Sequence, residues 1–192
     1  MNLPNKLSLL RIILIPFFMF FYLATFLPYA KLIATFLLIL AEFTDFLDGY
    51  IARKNNLVTD LGKLLDPVAD KSFSLTAMIL LVVDGIVPNP YGVIILVIFL
   101  LRDFVVSGLR QIAASKNIVI QADKWGKIKS IILDVSLPIL FFVSYIQFEV
   151  TPILNNFMNF VYGFGIGFLI LSTLLTVYSG INYLMKNSQV LK

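Results

Sequence analysis

D-F-L-D-G-Y-I-A-R-K-N-N-L-V-T-D-L-G-K-L-L-D-P-V-A-D, residues 45–70, sets four aspartates as two pairs inside an otherwise apolar chain. Asp45 and Asp48 are three apart and Asp66 and Asp70 four apart, so on helices each pair shares one face. Gly49, Ala52, Arg53 and Gly62 lie between the pairs, and Asp60 reads as a solvated loop residue. Carboxylates gathered in or beside a membrane repel one another and lose hydration, a cost that a bound cation offsets. All-oxygen ligation selects Mg²⁺, Mn²⁺ or Ca²⁺ over softer metals, and a pair of such ions can clamp the oxygens of a phosphoryl transfer. The small residues leave room for a ligand to approach the backbone, and Arg53 offers a planar fork suited to phosphate.

The chain around this stretch has 192 residues, 59% of them hydrophobic and only 14% charged, with a mean hydropathy of +0.94. Such a composition belongs to an all-α integral membrane protein that crosses the bilayer several times. The net charge of +4 is read as cytoplasmic loops facing anionic lipid, not as a surface for nucleic acid. There is no cysteine, which removes disulfides and thiolate nucleophiles. There is no histidine either, which excludes histidine phosphoenzymes and the usual zinc sites and leaves acid–base work to carboxylates, lysines or water.

Six transmembrane helices are expected. A short interfacial segment, with Lys6 and Arg11, precedes an apolar run from Ile12 to Leu27. That run is read as a membrane span and not as a signal peptide, because it is long and no small-x-small cleavage site follows cleanly. The second helix is expected from about Lys31 to Arg53, and the third from Asp66-Pro67, with proline in its first turn, to Val83. The fourth runs from Tyr91 to Ala114, the fifth from Gly126 to Tyr145 and the sixth from Asn156 to Leu184. Six spans put both termini on one side. Lys6, Arg11, Arg53, Lys54, Lys63, Lys71, Arg110, Lys116, Lys124, Lys127, Lys129, Lys186 and Lys192 then share that side, against Lys31, Asp84 and Glu149 opposite. The asymmetry places both termini and the aspartates at the cytoplasmic face of a cell membrane. With no repeat, linker or low-complexity segment, residues 1–192 read as one domain. Gly163-Phe164-Gly165-Ile166-Gly167 lacks the spacing of a phosphate loop and reads as close helix packing, within the fold or across a homodimer.

A second constellation lies on the fourth and fifth helices. Arg102-Asp103 and Ser107-Gly108-Leu109-Arg110 sit in an apolar span, where an exposed arginine costs about 3 kcal/mol, so they face a polar cavity or each other. Asp103 and Arg110, seven apart, either pair or leave Arg110 to an anionic substrate. Gly126-Lys127-Ile128-Lys129-Ser130 adds two more cations. Arg102, Arg110, Lys127 and Lys129 are therefore a candidate anion pocket, with Asp123 beside it; the alternative for the lysines is a flank that only sets topology.

The spacing D-x2-D-G-x2-A-R-x8-G-x3-D-x3-D resembles the signature of the CDP-alcohol phosphotransferase family at all eight fixed positions. Pro4-Asn5-Lys6-Leu7-Ser8-Leu9-Leu10-Arg11 is similar to the N-terminal P-N-x-L-[TS]-x-x-R segment of bacterial members. R-[DE]-x4-G-L-R followed by G-K-x-K-[TS] resembles the phosphatidylglycerophosphate synthase branch, whose acceptor alcohol itself carries a phosphate. The resemblance implies transfer of a phosphatidyl group from CDP-diacylglycerol to glycerol 3-phosphate with release of CMP. It implies two Mg²⁺ or Mn²⁺ ions held by Asp45, Asp48, Asp66 and Asp70, with Asp70 also the general base. Gly49, Ala52 and Gly62 are implied to line the nucleotide pocket, Arg53 to bind its phosphates, and Arg110 with Arg102, Lys127 and Lys129 to hold the acceptor phosphate. The rivals are another acceptor, phosphatidylglycerol or an inositol phosphate, and a divalent-cation carrier. The carrier gives no reason for the small residues and Arg53 at their fixed spacing.

Overall fold

The computed structural model describes residues 3–54, 60–116, 118, 120, 123–150 and 156–191; within its helices the side chains of residues 3, 4, 46, 48–54, 60, 61, 63, 64, 66, 67, 190 and 191 are outside the description. Six α-helices make up these residues: α1 (Leu3–Leu23), α2 (Ala30–Lys54), α3 (Asp60–Val83), α4 (Tyr91–Ser115), α5 (Lys124–Tyr145) and α6 (Asn156–Lys186). A π-helical turn, Ile146–Val150, prolongs α5. Helix α1 packs on α2 and α3, α5 on α6 and α2, and α4 on α6.

Apolar residues cover both the inside and the outside of this bundle. Phe18, Tyr22, Leu38, Phe73, Leu81, Leu137 and Phe141 are buried in one continuous core. Phe18 lies 4.9 Å, ring centre to ring centre, from Phe73 and 5.3 Å from Phe141, tying α1, α3 and α5 together. Phe36, Phe104, Phe157, Phe160 and Leu174 point outward on α2, α4 and α6. Around helices of this composition that apolar exterior is the face lipid covers. Among the described residues, Asn5–Leu23, Tyr91–Ser115, Lys124–Val150 and Asn156–Lys186 are long and apolar enough to cross a membrane. Helices α2 and α3 are long as well, but apart from Lys31 their charges lie toward the end of α2, Glu42 to Lys54, and the start of α3, Asp60 to Lys71.

Two boundaries differ from the sequence expectation. The N-terminal segment is not a separate interfacial piece: α1 runs unbroken from Leu3, through Pro16, to Leu23. Asn5, Ser8 and Arg11, spaced three apart, share a face that is buried at 3%, 0% and 2% exposure, so the segment has partners inside the bundle and no reason to lie on its surface. Helix α3 begins at Asp60, six residues before the expected start, so Pro67 falls inside it and not in its first turn.

Paired residues set the direction of the helices. Arg11 near the start of α1 meets Asp45 near the end of α2, and Lys31 at the start of α2 meets Asp84 just beyond α3. Lys129 at the start of α5 meets Asp103 on α4, and Arg110 near the end of α4 meets Tyr183 near the end of α6. The start of α1 and the end of α6 therefore lie at the same end of the bundle as Asp45.

The opposite end is closed by a buried cation. Lys31 is 6% and Asp84 17% exposed at the side chain, and the two form an ion pair. Tyr22 shares a hydrogen bond with Ser144, 3.0 Å, while Glu149 accepts the Lys31 backbone N–H at 2.6 Å. The ammonium also sits 3.8 Å over the Tyr22 ring. Removing one partner strands the other charge, so Lys31→Met is expected to destabilise the fold by about 3–5 kcal/mol. Thermal unfolding in detergent reads this, and Lys31→Met combined with Asp84→Leu should recover most of the loss.

Candidate active site

At the α1-start end, α1, α2 and α3 meet around carboxylates. Asp45 sits toward the end of α2, and its Oδ1 accepts a hydrogen bond from the guanidinium of Arg11, which α1 delivers from its buried polar face. Asp70, three turns into α3, shares a small cavity of about 20 Å³ with Asp45, Glu42, Arg11 and Ser74. That volume holds about one water molecule. Glu42 Oε1 is buried without a hydrogen-bond partner among the described residues; Glu42 feels the charges of Asp134 and Asp70, and Asp134 those of Asp70 and Asp45. Among the described residues this small cavity is lined by three carboxylates and one cation, Arg11, an excess of acid that suits a hard divalent cation. Asp48, Gly49, Ala52, Arg53 and Asp66 lie on the helical backbone of α2 and α3, but their side chains fall outside the described residues. Gly62 is buried on α3. Among the described residues no three acidic side chains form a metal cage, and the side chains of Asp48 and Asp66 are not among them. Glu42, Asp45 and Asp70 supply hard oxygens on a shared cavity, a donor type that fits Mg²⁺ or Mn²⁺.

Asp70 also lines a second, larger cavity of about 200 Å³, whose other polar residues are Lys71, Ser74, Arg102, Asp103, Lys129 and Ser130. Leu75, Met78, Phe99 and Leu133 form its apolar wall. Asp103 Oδ1 accepts from Arg102 Nη1 at 3.0 Å and from Lys129 Nζ at 3.5 Å, so one carboxylate serves two cations. Lys129 is only 5% exposed; its ammonium lies 4.8 Å over the Phe99 ring and its backbone carbonyl accepts from Ser172 Oγ. Arg102 reaches between α5 and α6, where Ser179 Oγ is 3.4 Å from Nη2. Its seat depends on Gly126, because a Cβ there would fall 2.6 Å from Nη2. Arg102 Nε is buried without an acceptor among the described residues.

The four cations expected to act together divide. Arg102 and Lys129 reach the cavity that Asp70 lines. Lys127 is exposed, two residues and therefore about 200° around α5 from buried Lys129. Arg110 donates from Nε to Tyr183 Oη at 3.0 Å and lies outside the cavity lining. Asp103 and Arg110 do not pair with each other: Asp103 turns to Arg102 and Lys129, Arg110 to Tyr183. Of the glycines in α6, Gly165 meets Leu140 of α5 and accepts from Ser136 at its carbonyl, which places the close packing inside the fold, whereas Gly163 and Gly167 face open space.

Several residues that face these cavities, or whose charge reaches them, went unassigned in the sequence. Ser74 is four beyond Asp70, and Glu42 three before Asp45, so helical spacing alone puts each on its aspartate's face. Asp134 is an acid inside an apolar span, which is itself a functional signal. Lys71 follows Asp70 directly and was legible only as one of many flanking cations.

Comparison with known proteins identifies the family. A family model described as CDP-alcohol phosphatidyltransferase matches residues 1–178. A CDP-diacylglycerol–glycerol-3-phosphate 3-phosphatidyltransferase of Bacillus subtilis (strain 168) is 44% identical over 140 residues, covering 67% of this chain and 70% of the relative. Proteins of the same name from Rickettsia bellii (strain RML369-C) and Haemophilus influenzae (strain ATCC 51907 / DSM 11121 / KW20 / Rd) are 40% and 33% identical, over 72% and 95% of this chain and 74% and 91% of theirs. With apolar helices long enough to span a bilayer and a family match over nearly its whole length, the chain is a multi-pass membrane enzyme that belongs to the CDP-alcohol phosphatidyltransferase family.

Proposed function

We propose that this protein is a CDP-diacylglycerol–glycerol-3-phosphate 3-phosphatidyltransferase, folded as one domain of six transmembrane helices with both termini and the site at the cytoplasmic face. The relatives' shared name supports the reaction. The observation that carries the acceptor is the compact cavity of about 200 Å³ in which Arg102 and Lys129 stand across from Asp70. A small phosphorylated alcohol matches its size and charge. Buried Arg102 Nε, which lacks an acceptor among the described residues, supports an anion there. The basic residues gathered at the site end support the cytoplasmic orientation. The homodimer belongs to the same reading, with outward-facing Gly163 and Gly167 of α6 as its support.

Asp45, Asp48, Asp66 and Asp70 are the proposed ligands for two divalent ions, Mg²⁺ or Mn²⁺. When bound, such ions neutralise the diphosphate of the CDP-lipid and make its phosphorus more electrophilic. Gly49, Ala52 and Gly62 line the nucleotide pocket in this reading, and Arg53 binds its phosphates. Arg102 and Lys129 hold the acceptor phosphate so that a glycerol hydroxyl faces Asp70. Arg110 and Lys127, which stand outside the cavity, are given no contact with the bound acceptor. Asp70 takes the hydroxyl proton as the oxygen bonds to the lipid-side phosphorus, and the bond from that phosphorus to the bridging oxygen breaks, releasing CMP. Arg11, buried against Asp45, keeps that carboxylate oriented. Both the CDP-lipid and the product keep their acyl chains in the bilayer.

CMP release by the purified protein, with Mg²⁺ or Mn²⁺ and with glycerol 3-phosphate, inositol phosphate, serine or phosphatidylglycerol in parallel, tests the reading. Release should depend on glycerol 3-phosphate. Release with a different acceptor overturns the assignment of the cavity, and the absence of release by folded protein with every acceptor favours a cation carrier.

A further inference from the structure

Three cations from three helices converge on the cavity beside Asp70: Lys71 from α3, Arg102 from α4 and Lys129 from α5. They differ in what holds them. Arg102 and Lys129 both donate to Asp103 Oδ1, so a carboxylate already takes up part of their charge. Lys71 instead donates to the neutral hydroxyl of Ser107, 2.9 Å from Nζ, and has no carboxylate partner among the described residues. A hydroxyl orients an ammonium without neutralising it. Among the described residues Lys71 is therefore the cavity's least compensated cation, and an incoming anion gains most by meeting it, because no ion pair among them has to be broken first.

Position strengthens the case. Lys71 adjoins the proposed base in the chain, and its contact with Ser107 brings α3 against α4 at the level of the cavity. Three cations face two carboxylates, Asp70 and Asp103, in the lining, so the pocket has a positive surplus suited to a phosphomonoester and unsuited to a neutral alcohol.

We propose that Lys71 is a specificity-determining residue that binds the phosphate of the acceptor alcohol, with Ser107 holding its ammonium ready. The proposal rests on the glycerol 3-phosphate reading given above. Lys71 selects phosphorylated over unphosphorylated acceptors, while Arg102 and Lys129, tethered by Asp103, fix the far side of the same group.

The test uses full-length protein in proteoliposomes and initial rates of CMP release. Lys71→Gln keeps a donor for Ser107 and removes the charge; Lys71→Arg keeps the charge. Lys71→Gln should raise the apparent KM for glycerol 3-phosphate about tenfold or more and leave that for CDP-diacylglycerol within about twofold. Lys71→Arg should recover most of the loss. An unchanged KM for glycerol 3-phosphate in Lys71→Gln, or equal rises for both substrates in both variants, overturns the proposal. Failure of the underlying reading looks different: wild-type protein then ignores glycerol 3-phosphate while releasing CMP with serine, and the role of Lys71 falls with it. Should Lys71→Gln not fold, Ser107→Ala replaces it, with a rise of about threefold in the same KM expected and no rise counting against the proposal.

Discussion

Asp70→Asn should lower CMP release by about 10²–10⁴-fold while the protein still binds CDP-diacylglycerol. The expectation comes from where Asp70 stands. It faces the small cavity that Asp45 and Arg11 line and the larger one that Arg102 and Lys129 line, so among the described residues it is the carboxylate common to both cavities. Asparagine keeps the shape and removes the proton acceptor, with little cost to a lipid nucleotide held chiefly by the α2 and α3 signature. Equilibrium binding of CDP-diacylglycerol beside single-turnover CMP release separates the two effects. Full activity in this variant removes Asp70 from the base role, and loss of binding in proportion to activity makes it a ligand only.

Arg11→Met should raise the Mn²⁺ concentration needed for half-maximal activity by about 10–100-fold, the usual effect of losing a group that orients a metal ligand. Arg11 is 2% exposed, and its guanidinium donates to Asp45 Oδ1. Without it Asp45 is free to rotate within a cluster that already includes Glu42 and Asp70. Direct Mn²⁺ titration followed by electron paramagnetic resonance reads the affinity independently of turnover. An unchanged affinity in a folded Arg11→Met protein makes the pair a packing feature alone.

Much of this arrangement was legible in the sequence because its signals are local. Within each pair, Asp45 with Asp48 and Asp66 with Asp70, the spacing follows the helix repeat, and the long apolar runs mark α4, α5 and α6 within a few residues of their ends. Less legible were features set by contacts between helices. Whether Arg11 lies at a membrane surface or in the interior depends on α2 offering Asp45, which the α1 sequence does not reveal. Pro67 resembled a helix start because proline suits a first turn, yet α3 already runs there from Asp60. Lys127 and Lys129 looked alike as neighbours in one motif, although the helix turns them to opposite sides. Arg110 and Asp103 share a helix face by spacing, but Tyr183 on α6 and Lys129 on α5 are better placed partners.

The most direct test of the account follows the acceptor into the product. Purified protein, CDP-diacylglycerol, Mn²⁺ and glycerol 3-phosphate labelled in its glycerol carbon should yield CMP and organic-soluble label in equimolar amounts, in a lipid that retains the acceptor's phosphate. CMP released without label entering the lipid, or label entering without CMP, would contradict it.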